Sequence, residues 1–155
     1  PGISLYGCPA GDGEWAGKEV LKPVMTFKTR IIQVKEVPAS TGVSYGHTYV
    51  TDRPSRLAVL PIGYNDGYLR ALSNRAEVLV RGQRAPQRGR VCMNVTMIDV
   101  TDIFGVGVGD EVVLLGTQQE ERISAEEVAG WLGTINYEVI CLFGNNNPRV
   151  YLGED

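Results

Sequence analysis

The chain of 155 residues has the length of one domain and is 43% hydrophobic and 21% charged, with a formal net charge of −3, an ordinary globular composition. A chain this size buries roughly 68–70% of its unfolded surface, so it needs neither disulfides nor metal to fold. The acidic balance and the lack of a Lys- or Arg-rich run exclude nucleic acid as a bulk electrostatic partner, and no apolar run approaches the ~18 residues of a membrane-spanning helix.

Residues 1–20 contain Gly2, Gly7, Gly11, Gly13 and Gly17 and show little periodicity. They lack a basic start followed by an apolar stretch, so they read as a linker and not as a secretory signal. The alternation predicts a long strand over Val24–Val37, with Met25, Phe27, Thr29 and Ile31 on one face and a bulge at Ile31-Ile32. Pro38 to Gly42 reads as a turn. Val43–Val50, Arg56–Ile62, Glu77–Val80, Arg90–Val100 and Glu111–Leu115 read as further strands, with Arg81-Gly82-Gln83 as a hairpin tip. Ser124 and Glu127 make a capping box opening a helix whose apolar face is Val128, Trp131 and Leu132, closed by Gly133. Ile135–Leu142 fits a helix capped by Thr134, although Tyr137 to Cys141 also has strand character; helix is preferred. Arg149–Leu152 is read as a last strand. The expected fold is mainly β, a barrel-like domain over 21–152 with small helical additions near the C-terminus and a tail at 153–155.

Cys8, Cys92 and Cys141 form no CxxC pair and His47 is the only histidine, so no zinc site is predicted; no metal ligands are assigned, and carboxylate-bound calcium or magnesium stays open although no EF-hand pattern occurs. Free buried thiols and a cytoplasmic location fit this cysteine usage. Gly105 to Gly109 has the outline of a phosphate loop, but Asp110-Glu111 follow and would repel phosphate, so a tight β-turn is expected. Asp99, Asp102, Asp110 and Glu111 have the residue types of an acid/base pair; near turns they read as a solvated edge. His47 makes no hydrolytic triad, since no G-x-S-x-G elbow occurs. Tyr45 beside Gly46, and Tyr64 and Tyr68 beside Gly63 and Gly67, are more informative. A glycine next to an aromatic ring lets a ligand or another backbone approach; the plainer reading is amphipathic rim packing.

Several runs resemble, in order, the C-terminal domain of pyridoxal-phosphate-dependent alanine racemases. They are Leu21 to Ile32, Gly42-Val-Ser-Tyr-Gly-His-Thr-Tyr49, Pro61-Ile-Gly-Tyr-Asn-Asp-Gly-Tyr68, Gly89-Arg-Val-Cys-Met-Asn94, Val108-Gly-Asp-Glu-Val112, Thr134-Ile-Asn-Tyr-Glu-Val-Ile-Cys141 and Pro148-Arg-Val-Tyr151. The likeness covers essentially the whole chain, and Pro1 to Gly7 resembles the exit from the family's N-terminal (β/α)₈ barrel.

The resemblance implies an isomerase that interconverts L- and D-alanine for cell-wall precursors, with pyridoxal phosphate as the electron sink. It implies a homodimer in which each site combines the barrel of one subunit with the C-terminal domain of its partner, acting on a small amino acid. One base is a barrel lysine; the other is a tyrosine that maps onto Tyr45. A free phenol has a pKa near ~10, so such a base needs a perturbing neighbour. Met93 maps onto the residue whose backbone N–H meets the substrate carboxylate, and Tyr137 onto a tyrosine near the cofactor phosphate. Tyr64, Arg70, Arg90 and Ile135 map onto the entry corridor, where basic and aromatic walls suit a small zwitterion. Lys18, Lys22, Lys28 and Lys35 are the only lysines, none matches the cofactor lysine, and the isolated chain is expected to be inactive. Two departures stand out. Asn94 replaces the family's Asp, which removes a charge and an acceptor-only group and opens serine or broader amino acid specificity as an alternative. Leu142 and Asn145-Asn146-Asn147 stand where basic residues are common. A non-catalytic β-module that binds a partner chain is the alternative from another class.

Overall fold

Between Phe27 and Val37 the chain divides itself between two sheets. The computed structural model describes residues 2–10 and 21–153. Strand β1 (Phe27–Arg30) pairs with β9 (Glu111–Gln118), Lys28 opposite Val113. Strand β2 (Gln33–Val37) pairs with β5 (Ser55–Leu60), Gln33 opposite Val59. At the junction the Ile31 N–H donates to Asp110 O and the Ile32 N–H to Val59 O. Neighbouring residues thus serve different sheets, with Ile31 buried and Ile32 exposed. The single bulged strand expected here is two strands; the slip in alternation marks a corner where the chain changes sheet.

The larger sheet runs β1, β9, β6 (Glu77–Val80), β7 (Gln83–Pro86), with β10 (Glu121–Ile123) also on β9; the smaller runs β2-β5-β8 (Thr96–Asp99). A short pair joins β3 (Gly42–Val43) to β4 (Tyr49–Val50), and every ladder is antiparallel. Strands β6 (Glu77–Val80) and β7 (Gln83–Pro86) turn at Arg81-Gly82, whose φ values are 52° and 72°. Two left-handed residues make the hairpin turn whose twist matches the strands; Gln83, expected in the tip, already belongs to β7. Val112 to Leu115 are all buried, so both faces of β9 are covered and the core lies between the sheets and the helices.

Helix α1 (Ala125–Leu132) opens as the sequence predicts, with Ser124 Oγ accepting the Glu127 N–H at 3.2 Å. The other half of the capping box is not made. The Glu127 carboxylate instead accepts from Arg84 Nη1 at 2.6 Å. Gly133, at φ 72°, ends α1. Helix α2 (Asn136–Asn145) extends past the expected Leu142, and Ile135, not Thr134, sits at its N-cap; the Thr134 hydroxyl bonds Glu138. Phe143 stacks on Phe27 with ring centroids 4.6 Å apart, fastening α2 to β1.

Four other expectations change. Val43–Val50 is broken by the turn Tyr45–His47, and of Arg90–Val100 only Thr96–Asp99 is strand. Arg149–Leu152 is not a strand; Arg149 Nε turns back to bond Gly144 O at 3.0 Å. Of the cysteines only Cys8 is buried, Cys92 is half-buried and Cys141 exposed, all free. In the expected linker, Gly2–Tyr6 form a 3-10 turn that buries Ile3, while 11–20 lie outside the described residues, as do Glu154 and Asp155 of the tail.

Candidate active site

The turn that carries Tyr45 is bent by three positive φ values, 61° at Ser44, 69° at Gly46 and 44° at His47. No strand accommodates that, and Tyr45 is thrown outward, 75% exposed. The turn leans on Gly89–Cys92: Ser44 Oγ donates to Arg90 O at 2.7 Å and lies 3.3 Å from Cys92 Sγ. Gly89 is obligatory, since a Cβ there would come within 2.6 Å of Val43 O. A Cβ on Gly46 would be 3.6 Å from Arg90 Nε, so the Arg90 guanidinium lies over the turn.

The Tyr64 loop is zipped to the Met93 turn. Tyr64 N–H donates to Cys92 O and Asn65 N–H to Met93 O, both at 3.0 Å, and Gly63 N–H donates to Asp66 Oδ2 at 2.9 Å. Cys92 N–H closes the turn on Val95 O at 3.0 Å, which leaves Met93 54% exposed and Asn94 exposed at its tip. The Met93 N–H meets no acceptor among the described residues. Arg70 opens the 3-10 turn Arg70–Leu72, which is pinned to this segment because Ser73 Oγ accepts the Val91 N–H at 2.9 Å. Tyr45, Tyr64, Arg70, Arg90 and Met93 therefore hang on one backbone seam.

Tyr137 and Ile135 join this group less directly. They flank Asn136 at the N-terminal end of α2 and are 40% and 57% exposed. Asn136 is buried, donating to Pro9 O at 3.0 Å and Glu126 Oε1 at 2.9 Å. The far end of α2 meets the Tyr64 loop: Asn147 Nδ2 donates to Asp66 O at 2.8 Å and Asn146 Nδ2 to Asn65 O at 3.2 Å. Asn146 and Asn147 thus anchor the end of the helix to the loop.

The competing motifs sit elsewhere. Asp110 accepts from Arg81 Nε at 2.8 Å and from Gly107 N–H at 3.0 Å; Arg81, then that amide, hold its carboxyl below the usual range. The glycine loop spends its amide on the chain's own carboxylate. Asp102 pairs with Arg53, and Glu111 with Lys28 at 2.8 Å. A cavity of about 250 Å³ between Tyr49, Arg53, Arg88, Asp99 and Asp102 takes in two of these carboxylates but none of Tyr45, Tyr64, Arg70, Arg90, Met93, Ile135 or Tyr137.

Supporting residues went unnoticed in the sequence. Asn74 Oδ1 accepts the Gly89 N–H at 2.6 Å and its Nδ2 donates to Thr48 Oγ1 at 3.1 Å. Gln87, fully buried, donates to Gly89 O at 2.9 Å. The one signal was the Ser-Asn pair before Arg75, since asparagine is suited to the φ of 60° that Asn74 adopts.

The family model for the alanine racemase C-terminal domain matches residues 24–151. The chain belongs to the alanine racemase C-terminal domain family. It is 57% identical over 152 residues to the alanine racemase of Halothermothrix orenii, covering 97% of this chain and 40% of that one. Alanine racemase 2 of Caldanaerobacter subterraneus subsp. tengcongensis is 53% identical over 98% of this chain and 39% of its own. Among solved structures, the biosynthetic alanine racemase of Pseudomonas aeruginosa superposes with a TM-score of 0.88 at 37% identity, covering 99% of this chain and 42% of its own. Alanine racemase from Bacillus anthracis with bound L-Ala-P gives 0.84 at 40% identity, over 92% and 36%. This racemase-family domain therefore spans about 40% of the length of the curated relatives it matches.

Proposed function

We propose that the chain works as the C-terminal domain, bounded near 21–152, of a homodimeric, cytoplasmic alanine racemase. A barrel domain supplies the cofactor lysine and this domain supplies one wall of the site. The observation that carries the reading is the seam that locks Tyr45, Tyr64 and Met93 together while leaving their side chains exposed. Evolved surfaces seldom gather large apolar and aromatic side chains in one place unless something covers them.

Pyridoxal phosphate, when bound, supplies the electron sink for the carbanion. The residues here fit such a ligand: an exposed phenol at Tyr137 on the first turn of α2, and an N–H at Met93 without an acceptor among the described residues. In the reaction the Tyr45 phenolic oxygen takes or returns the substrate α-proton on one face. The Met93 N–H binds the substrate carboxylate, and Arg90 lies over the Tyr45 turn at Gly46. Tyr64, Arg70 and Ile135 border the approach.

The test joins this domain to the N-terminal portion of the Halothermothrix orenii enzyme and assays L- to D-alanine conversion, with serine alongside because of Asn94. The joined protein should racemise alanine and the 155-residue chain alone should not. Tyr45→Phe should lower turnover roughly 10²–10⁴-fold, the worth of a general acid–base group. A joined protein that folds, binds the cofactor and racemises nothing would favour the non-catalytic module.

A further inference from the structure

Ser44 has φ 61° and ψ −172°, a combination that glycine alone adopts at ease and that strains any residue with a Cβ. A glycine would relieve that strain, so the serine calls for a reason in its hydroxyl. That hydroxyl donates to Arg90 O at 2.7 Å and sits 3.3 Å from Cys92 Sγ, groups 46 and 48 residues away in sequence. With Ser44 donating to the Arg90 carbonyl, the Cys92 thiol donates either to Ser44 Oγ or, at 3.5 Å, to the same carbonyl, so all three groups form one cluster. The other end of the turn is held separately, by Thr48 Oγ1 accepting from Asn74, whose Oδ1 accepts the Gly89 N–H. Two tethers to the segment Gly89–Cys92 therefore bracket Tyr45–His47. The Met93 turn keeps its own fastening, to Tyr64 and Asn65, and does not depend on Ser44.

We propose that Ser44 is a positioning residue for Tyr45: its hydroxyl pins a strained backbone turn to Arg90 O and Cys92 Sγ and so fixes where the Tyr45 phenol points. The inference rests on the reading of Tyr45 as the acid/base residue. Small displacements of a reacting group are costly, on the order of 10²-fold for about 1 Å. Loss of the tether therefore acts on the chemical step more than on binding, since the carboxylate seat at Met93 is held by other bonds.

The experiment uses the domain joined to the Halothermothrix orenii N-terminal portion and compares Ser44→Gly, Ser44→Ala, Tyr45→Phe and the Ser44→Gly/Tyr45→Phe pair. Ser44→Gly removes the tether while fitting the backbone, so it stays folded even where Ser44→Ala, which keeps the strain, does not. Expected for Ser44→Gly is a kcat lower by about tenfold or more, KM within about twofold, and a melting temperature no lower than the parent's. In the Tyr45→Phe background the same change should cost no further activity, because Ser44 acts through Tyr45. A Ser44→Gly enzyme with parental kcat, beside an inactive Tyr45→Phe, overturns the role of Ser44 and leaves Tyr45 in place. An equal loss from Ser44→Gly in both backgrounds overturns it too. Parental turnover in Tyr45→Phe removes the base itself, and the role proposed for Ser44 falls with it.

Discussion

Two regions of this domain handle polar and aromatic groups in opposite ways. Around Arg84 every charge is spent internally: the guanidinium reaches Glu127 at 2.6 Å, Glu77 at 3.0 Å, Glu121 at 3.1 Å and Arg122 O at 2.8 Å. Hydrogen bonding to Glu127 raises the arginine's pKa against the opposing effect of burial. Around Tyr45 the backbone is tied at several points while the side chains of Tyr45, Tyr64 and Met93 face outward. The first region is a joint that welds β7, β10 and α1. The second is a bonded backbone beneath large exposed side chains. Both regions are densely bonded, so what separates them is whether the side chains are spent within the chain or left exposed.

The comparison can be broken most sharply at Gly63. A Cβ there would lie 2.2 Å from Cys92 O and 2.4 Å from Met93 O, both backbone. Gly63→Ala should destabilise the chain by roughly 3 kcal/mol, read from urea unfolding; a change below about 1 kcal/mol would mean the seam is slack. Arg84→Ala leaves three carboxylates facing one another. With the arginine side chain 32% exposed, the expected cost is about 1.5 kcal/mol, between the surface and buried limits. That cost should grow on lowering ionic strength, since the stranded carboxylates repel less under screening.

A smaller effect follows from Asp110, held below the usual carboxylate range by Arg81 and the Gly107 amide. Its folded pKa lies under its unfolded one, so its contribution is complete above the ordinary carboxylate range and is lost as pH falls below about 4. Asp110→Asn should flatten the acid limb of a stability–pH curve and leave the alkaline side unchanged. The smallest effects sharpen the contrast from the other side. Tyr45→Phe and Met93→Ala should each shift the unfolding free energy of the chain by no more than about 0.5 kcal/mol. A large loss of stability there would mean these side chains pack within the domain.

What was legible in the sequence was what is local. Glu77–Val80 and the Ser124 cap come from signals within a few residues, and the helix expected over Ile135–Leu142 forms despite its strand character, one turn longer at its end. The turn at Ser44 was hidden, because Val43 to Val50 alternates well enough for a strand and the groups that hold Ser44, Arg90 O and Cys92 Sγ, lie 46 and 48 residues away. Glu127 looked committed to the capping box, but Arg84 arrives from another strand and takes its carboxylate. The site residues were named through their likeness to a family. Their common seam became visible only when Cys92 and Met93 accepted bonds from Tyr64 and Asn65.

The corner at Ile31-Ile32 also sets an order of assembly. Strand β2 finds its partner β5 soon after leaving the ribosome, whereas β1, just before the corner, waits for β9. Phe27 lies opposite Leu115, a separation on the order of 90 residues that slows closure and raises the contact order of the larger sheet. At synthesis rates of roughly 5–20 residues per second, β1 stays unpaired for about 4 to 18 s after it emerges. During that interval the nascent chain carries a smaller sheet that is already able to form, beside the apolar Phe27 and Ile31 with nowhere yet to go.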